Sequence, residues 1–402
     1  MLEDTPITRT SPSPFPPPVR VNDAVLGPLL VGASRKLAFQ CRADLGGVTL
    51  EHLRDSSGEG LRNAMTQLPL DPARSLPVGS VGRPTIYGGP FLDHFGHMAA
   101  EGMHRIWPRT VFGHLADADV VFQAHEDFKG VRPAWFESLL ALYGVPAERA
   151  LILSDTTRFD QLYIPRQARV LGGSTLLEGY EALFPMTDLA AVGAERPDRL
   201  YVSRRKHMYS GSYLGESFIE ATLADAGFTT VYPEEFRPDE MSAKLSAASA
   251  IVFAEGSAIH HIEACGKIGA AVFVIGRRHG ALGRFQRVLT PLVDRWRIYE
   301  DAQTSYVSFE WDPRRDEPMR SKGCYFLDLP QVVADIAEFF SIDLPSCNDE
   351  QIRQNVMIDL LRFAADKRTT SKNTGDAELG ALFRRFRQNE AVRNLLSPVK
   401  TG

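Results

Sequence analysis

The 402-residue chain lacks the short patterns that announce the commonest ligand sites. Its four cysteines, Cys41, Cys265, Cys324 and Cys347, are widely separated and form no C-x-x-C pair. That argues against a disulfide framework or a structural zinc site and fits a reducing compartment. G-x-x-x-x-G-K-[ST] is absent, and no strand-like run is followed by G-x-G-x-x-G, so P-loop and nicotinamide-dinucleotide chemistry lose support. H-E-x-x-H is missing as well. No apolar run reaches the ~18 residues a membrane-spanning helix needs, which leaves only peripheral attachment to a membrane open. A net charge of −5 carries no overall footprint for nucleic acid or anionic lipid. The opening MLEDTPITRTSPSPFPPPVR has no apolar core of signal-peptide type. Proline denies its backbone helical and ladder hydrogen bonds, so residues 1–22 are expected to form a disordered lead-in and the protein to be cytoplasmic.

What is present is an ordinary globular composition, 44% hydrophobic and 24% charged, with length enough for two cores. VTLEHLRD and PTIYGG read as strands leading into turns, ADVVFQ and ALILS as short buried strands, and PAWFESLLALYGV as a helix closed by glycine. The second half is more regular. RLYVSR, FTTVYP, AIVFA and AAVFVIG alternate with helical patterns at LGESFIEATLADAG, PDEMSAKLSAAS and EGSAIHHIEACGKIG. A β-α-β-α-β-α-β order in one sheet implies parallel strands with right-handed crossovers, hence an α/β, Rossmann-like domain. YVSFEW and GCYFLDL are weaker strand candidates, helices are expected at 329–340 and 349–366, and ELGALFRRFRQNEAVRNLL reads as a basic amphipathic helix.

In such sheets ligands bind at the C-terminal ends of the strands. Arg204, Arg205, Lys206 and His207 follow LYVS; Glu255, Gly256 and Ser257 follow IVFA; Arg277, Arg278 and His279 follow VFVIG. Gly256 permits close backbone approach and Ser257 is a natural N-cap, so the next turn offers N–H groups to an anion. Arginine forks beside it suit a diphosphate, though scattered surface arginines and a plain cap would give the same pattern. Glu255 could accept ribose hydroxyls or sit at a helix N-terminus stabilised by the dipole. His260 and His261 begin the helix, one toward a ligand and the other toward the core, or both buried.

His94, His97, Glu101 and His104 crowd one stretch of the first half. On a helix they fall within roughly an 80° arc but spread over about 15 Å, too far for four ligands to share one metal. A two-ligand subset, a polar stripe, or a base formed by His97 with Glu101 behind it all fit the spacing.

Two longer motifs resemble glycosyltransferase family 61, in the capsular-polysaccharide form of its bacterial sequences. The first is GGPFLDHFGHMAAEGMHRIW, Gly88 to Trp107; the second is the ordered set YVSRR, GESFIEATLADAGF and AIVFAEGSAIHH, Tyr201 to His261. The resemblance implies a GT-B-like architecture, with two Rossmann-like domains facing across a cleft: an acceptor-side domain over 23–190, a nucleotide-sugar-binding domain over 191–345 and a helical tail over 346–402. It implies an inverting transferase that moves a sugar from a nucleotide-diphosphate donor, UDP-linked, to a polysaccharide or lipid-linked glycan, with no cofactor and no metal. His97 and Glu101 would serve the acceptor; Arg204, Arg205, Glu255, Gly256, Ser257 and His260 would hold the nucleotide sugar. The sequence departs from many relatives at Gly215–Glu216, where Asn-Glu is common, and at Glu255-Gly256-Ser257. A nucleotide- or glycan-binding protein without turnover and a histidine-metal hydrolase are the rival readings.

Overall fold

A computed structural model describes residues 15–31, 39–47, 65–70, 77–169, 177–301, 305–312, 317–370 and scattered positions between 380 and 393. The chain divides into two compact units, Met1–Asp188 and Leu189–Gly402. Both are α/β. Among the described residues no helix is long and apolar enough to cross a membrane.

The first unit carries β1 (Val19–Val31), β2 (Phe39–Asp44), β3 (Met65–Leu68), β4 (Gly79–Val81), β5 (Thr85–Pro90), β6 (Asp119–Gln123), β7 (Ala150–Leu153) and β8 (Thr157–Ile164). Their order is β3-β2-β1-β8-β5-β6-β7, with β4 also on β8. The sheet is mixed: β5, β6 and β7 run parallel, while β1 is antiparallel to both β2 and β8. That differs from a Rossmann-like reading of this half. β1 begins at Val19, inside the expected lead-in, because a cross-strand partner as long as β8 supplies ladder bonds that local sequence does not suggest. Pro28, which cannot donate to a ladder, sits where the β1–β2 register shifts between Leu26 and Leu29. Tyr87, Val121, Phe159 and Leu162, from β5, β6 and β8, form one buried cluster with Leu26 and Leu29 of β1. Helix α1 (Ala134–Leu142) buries Phe136, Leu139 and Leu140. The VTLEHLRD segment lies outside the described residues, as does most of the closing basic segment.

The second unit is built on β9 (Arg199–Val202), β11 (Thr229–Val231), β12 (Ala250–Ala254), β13 (Ile268–Ile275) and β14 (Val293–Tyr299), with the short β10 (Tyr213–Leu214) belonging to a side sheet. Every neighbouring pair in the five-stranded sheet is parallel, and the order is β11-β9-β12-β13-β14. AIVFA is accordingly a strand buried on both faces, as is most of β13, whereas β11 at the edge exposes Thr229. Helices α2 (Glu216–Asp225), α3 (Pro238–Ala247) and α4 (Ala281–Leu289) provide crossovers, and a 3-10 helix, Ser257–Ala264, stands where a full α-helix was expected. Strands β15 (Tyr306–Val307), β16 (Trp311–Asp312), β17 (Glu317–Pro318) and β18 (Cys324–Phe326) follow, the first and last pairing with β10's sheet. Two more helices, α5 (Leu329–Phe340) and α6 (Asp349–Thr370), end the described core. The chain steps from β9 out to β11 and then back past β9 to β12. Strand order reverses there, which is where an open parallel sheet leaves a crevice at its C-terminal edge.

Candidate functional site

In the first unit, β5 ends in Gly88-Gly89-Pro90 and leads into the histidine-rich stretch. The stretch is helical but not uniform: one α turn at Phe95–His97, a π turn at Met98–Gly102 and a 3-10 turn at Met103–Arg105. Such widening inside a helix recurs at functional sites. Of the polar residues in this stretch, His97 and Glu101 meet. The His97 Nδ1–H donates to Glu101 Oε1 at 2.8 Å, the tautomer being the one a carboxylate acceptor selects. The ring's Nε2 then carries a lone pair, and the side chain is 38% exposed against 14% for Glu101. An oriented imidazole with solvent access and a carboxylate behind it can accept a proton from a hydroxyl.

His94 precedes the first turn, with its ring centroid 5.0 Å from that of His97. His104 is fully buried and its Nδ1 lies 2.8 Å from the Tyr180 hydroxyl, so it belongs to the core. Among the described residues no group of three or more His, Cys, Asp or Glu side chains could hold a metal ion. Arg105 explains another part of the motif. Its buried guanidinium donates from Nη1 to the Glu101 carbonyl at 3.3 Å and packs on Gly89. The backbone at Gly89 has φ +90°, a conformation that favours glycine, and a Cβ there would lie 2.8 Å from that Nη1 and displace it. Burial pulls the Arg105 pKa down against the pull of Tyr87 and Glu101. Trp107, also fully buried, donates its indole N–H to the Arg166 carbonyl at 2.9 Å.

In the second unit three arginines gather at the strand ends beside the reversal. Arg204 follows β9, and its Nε donates to the Gly211 carbonyl at 2.6 Å. A Cβ at Gly256, just past β12, would lie 2.6 Å from Arg204 Nη1, so the glycine is there for close approach. Arg277 and Arg278 follow β13. Their backbone N–H groups both donate to Glu255 Oε2, at 2.8 and 2.9 Å, and Arg278 Nε reaches Glu255 Oε1 at 2.6 Å. Burial alone would raise the Glu255 pKa; Arg277 and Arg278 outweigh it and the net shift is downward. Glu255 is thus the built-in counter-ion of this cluster, a role distinct from both uses read from the sequence.

Arg277 is 4% exposed, and its Nε is buried without a hydrogen-bond partner among the described residues. Burial first, then repulsion from Arg278, brings its pKa down to about 9. Arg204 is lowered too, chiefly by burial, with Glu216 opposing and Arg278 adding to the shift. Two guanidiniums held out of water, with a third paired to a buried carboxylate beside them, could receive an anion with several oxygens.

Not every residue expected here takes part. Arg205 turns away: its Nη1 donates to Glu220 at 3.0 Å and its Nε to Asp359 at 3.2 Å. Ser257 opens the 3-10 helix, but Gly256 is its N-cap and no side chain caps it. His260 is buried and its Nδ1 lies 2.5 Å from Glu263 Oε1. Arg277 and Arg278 were visible in the sequence only as the residues after VFVIG, with nothing to rank them above Arg205.

Residues 95–268 match the sequence profile of the family described as Glycosyltransferase 61. The matched segment holds His97, Glu101, Arg204 and Gly256 and ends before Arg277. The match covers less than half of the chain. No curated protein matches the chain.

Proposed function

We propose, with the Glycosyltransferase 61 match as premise, that the protein is an inverting glycosyltransferase. Its donor is a nucleotide-diphosphate sugar, UDP-linked, and its acceptor a hydroxyl of a polysaccharide or lipid-linked glycan of the bacterial capsular type. The observation that carries the reading is the meeting of Arg204, Arg277 and Arg278 at Gly256 and Glu255, at the reversal of strand order in a parallel sheet. A GT-B-like division of labour belongs to the same proposal, with the acceptor served by the first unit and the donor by the second.

The acceptor oxygen attacks the anomeric carbon on the face opposite the leaving group. Its proton passes to His97 Nε2, and Glu101 stabilises the imidazolium that forms. The bond from the anomeric carbon to the β-phosphate oxygen breaks, and its electron pair leaves with the nucleoside diphosphate. Arginines take that growing charge in a dry, prearranged setting, which makes a metal unnecessary to the proposal.

The test is a panel of UDP-, GDP-, ADP- and dTDP-linked sugars, titrated calorimetrically in EDTA and followed by transfer to glycan acceptors. The expected result is binding in EDTA, turnover, and a product of inverted anomeric configuration by NMR. Binding without turnover on any acceptor would favour a non-catalytic binder, and binding only with added metal would favour the hydrolase reading.

A further inference from the structure

Glu216 is fully buried at the start of α2, directly behind the turn that presents Arg204. Its Oε1 accepts the Arg204 backbone N–H at 2.5 Å and the Tyr201 hydroxyl at 3.1 Å. Its Oε2 accepts the Ser212 hydroxyl at 2.6 Å. Ser203 Oγ lies 3.0 Å from Glu216 and 2.7 Å from Glu220, so its single proton is divided between them. One carboxylate therefore grips both ends of the segment 203–212, whose carbonyl at Gly211 in turn holds Arg204 Nε. No phosphate-binding role is available to a group so enclosed. Its reach is through the main chain.

We propose that Glu216 is a positioning residue: its ionised carboxylate fixes the 203–212 turn, and thereby sets the affinity of the Arg204 site for a nucleotide-diphosphate sugar. The proposal rests on the donor-site reading given above. Two effects of losing the charge oppose each other. Neutralising Glu216 would raise the positive potential at Arg204, which favours an anion. It would also leave several buried donors competing for fewer acceptors and release the turn. The second effect removes the bonds that aim Arg204, and a raised potential gains little from a guanidinium that is no longer aimed, so positioning dominates. Burial raises the Glu216 pKa to about 7, against the bonds from Ser212, Arg204 and Ser203, with Glu220 adding to the rise. The titratable groups around it and on the turn include Tyr201 on β9, Arg204, Arg205 and His207 on the turn, Tyr213 on β10, Glu220 on its own helix, Tyr232 after β11, Cys324 on β18 and Asp359 on α6; burial lowers the His207 pKa, which keeps it neutral where Glu216 titrates. Glu216 alone of these accepts the Arg204 N–H. Donor affinity should accordingly weaken as pH falls through neutrality.

The experiment measures Kd for the same four nucleotide sugars, whose diesterified phosphates do not titrate between pH 5.5 and 8, on wild type, Glu216→Gln and Arg204→Ala. Wild type is expected to bind at least one of them, more weakly by about tenfold at the acid end. Glu216→Gln is expected to bind weakly throughout and to lose that dependence. Ser212→Ala, which keeps the charge and cuts one grip, should weaken binding less and retain the pH profile; it serves if Glu216→Gln does not fold. Unchanged or tighter binding by Glu216→Gln, or by Ser212→Ala in its place, overturns the proposal while leaving the donor site standing. Wild type that binds none of the four, or Arg204→Ala that binds as wild type does, overturns the donor-site reading and the proposal with it.

Discussion

The His97–Glu101 pair and the arginine cluster both stand at the C-terminal ends of parallel strands, but their charge is held in opposite ways. His97 is 38% exposed on an irregular helix and meets one carboxylate through one nitrogen. Arg277 is 4% exposed, Glu255 is fully buried, and the cluster draws on the ends of β9, β12 and β13. A group that trades protons must reach its substrate and be aimed; it needs no excess charge. A group that receives a phosphate's charge gains most from being dry and fixed beforehand, at the cost of burying cations that only an anion fully offsets. The two clusters should therefore fail differently.

The widest separation is expected from His97→Ala. Turnover should fall by about 10²- to 10⁴-fold, the usual worth of a general base, while the Kd for the donor stays within about twofold. Steady-state kinetics with a parallel binding titration checks this, and turnover that survives would remove His97 as the base. Arg277→Ala should do the reverse, weakening donor binding by about 1.5–3 kcal/mol, the range for a lost charge-assisted hydrogen bond. Calorimetry reads it, and an unchanged Kd would take Arg277 out of the site. Smaller again is Arg205→Ala. It should lower the unfolding midpoint in urea, since Asp359, which is buried, and Glu220 would each lose a charged partner, yet leave donor affinity as it was; a large loss of affinity would return Arg205 to the nucleotide.

A last effect, absent at neutral pH for His261, is one of pH on stability. Burial, with His260 adding, lowers the His261 pKa from 6.5 to about 3. Between those values the unfolded chain binds a proton the folded one refuses, so the contribution of His261 is whole above pH 6.5 and lost as pH falls toward 3. Glu216 runs the other way. Its pKa is raised from 4.5 to about 7, so its contribution is whole below 4.5 and lost as pH rises to 7. His261→Leu should flatten the acid limb of a stability–pH curve and leave the neutral limb alone.

Regular elements with local causes could be read from the sequence. AIVFA and AAVFVIG are apolar runs bounded by turn residues, and they are β12 and the body of β13. The expected helix at 329–340 is α5, opened by Asp328, which accepts the Gln331 N–H, and by Pro at its second position. β1 escaped because VRVNDAVLGPLLV carries Asn, Asp, Gly and Pro, and its strand character comes from β8, remote in sequence. The meeting of His97 with Glu101 was legible, since i,i+4 side chains share a face. The π turn around it was not. Nor could the sequence say that Arg204 faces Gly256 while Arg205, its neighbour, faces Asp359: adjacent residues leave a strand end in different directions, and Asp359 lies 154 positions away.

Asp359 has a mechanical consequence. Fully buried on α6, it accepts the Ser217 N–H at 3.0 Å at the root of α2 and the Arg205 Nε at 3.2 Å on the turn beside Arg204. It lies far outside the matched segment, which ends at 268. A fragment trimmed to the matched segment would therefore lose the carboxylate that ties the root of α2 to the turn beside Arg204, and would leave the Arg205 guanidinium with Glu220 alone of its two carboxylate partners.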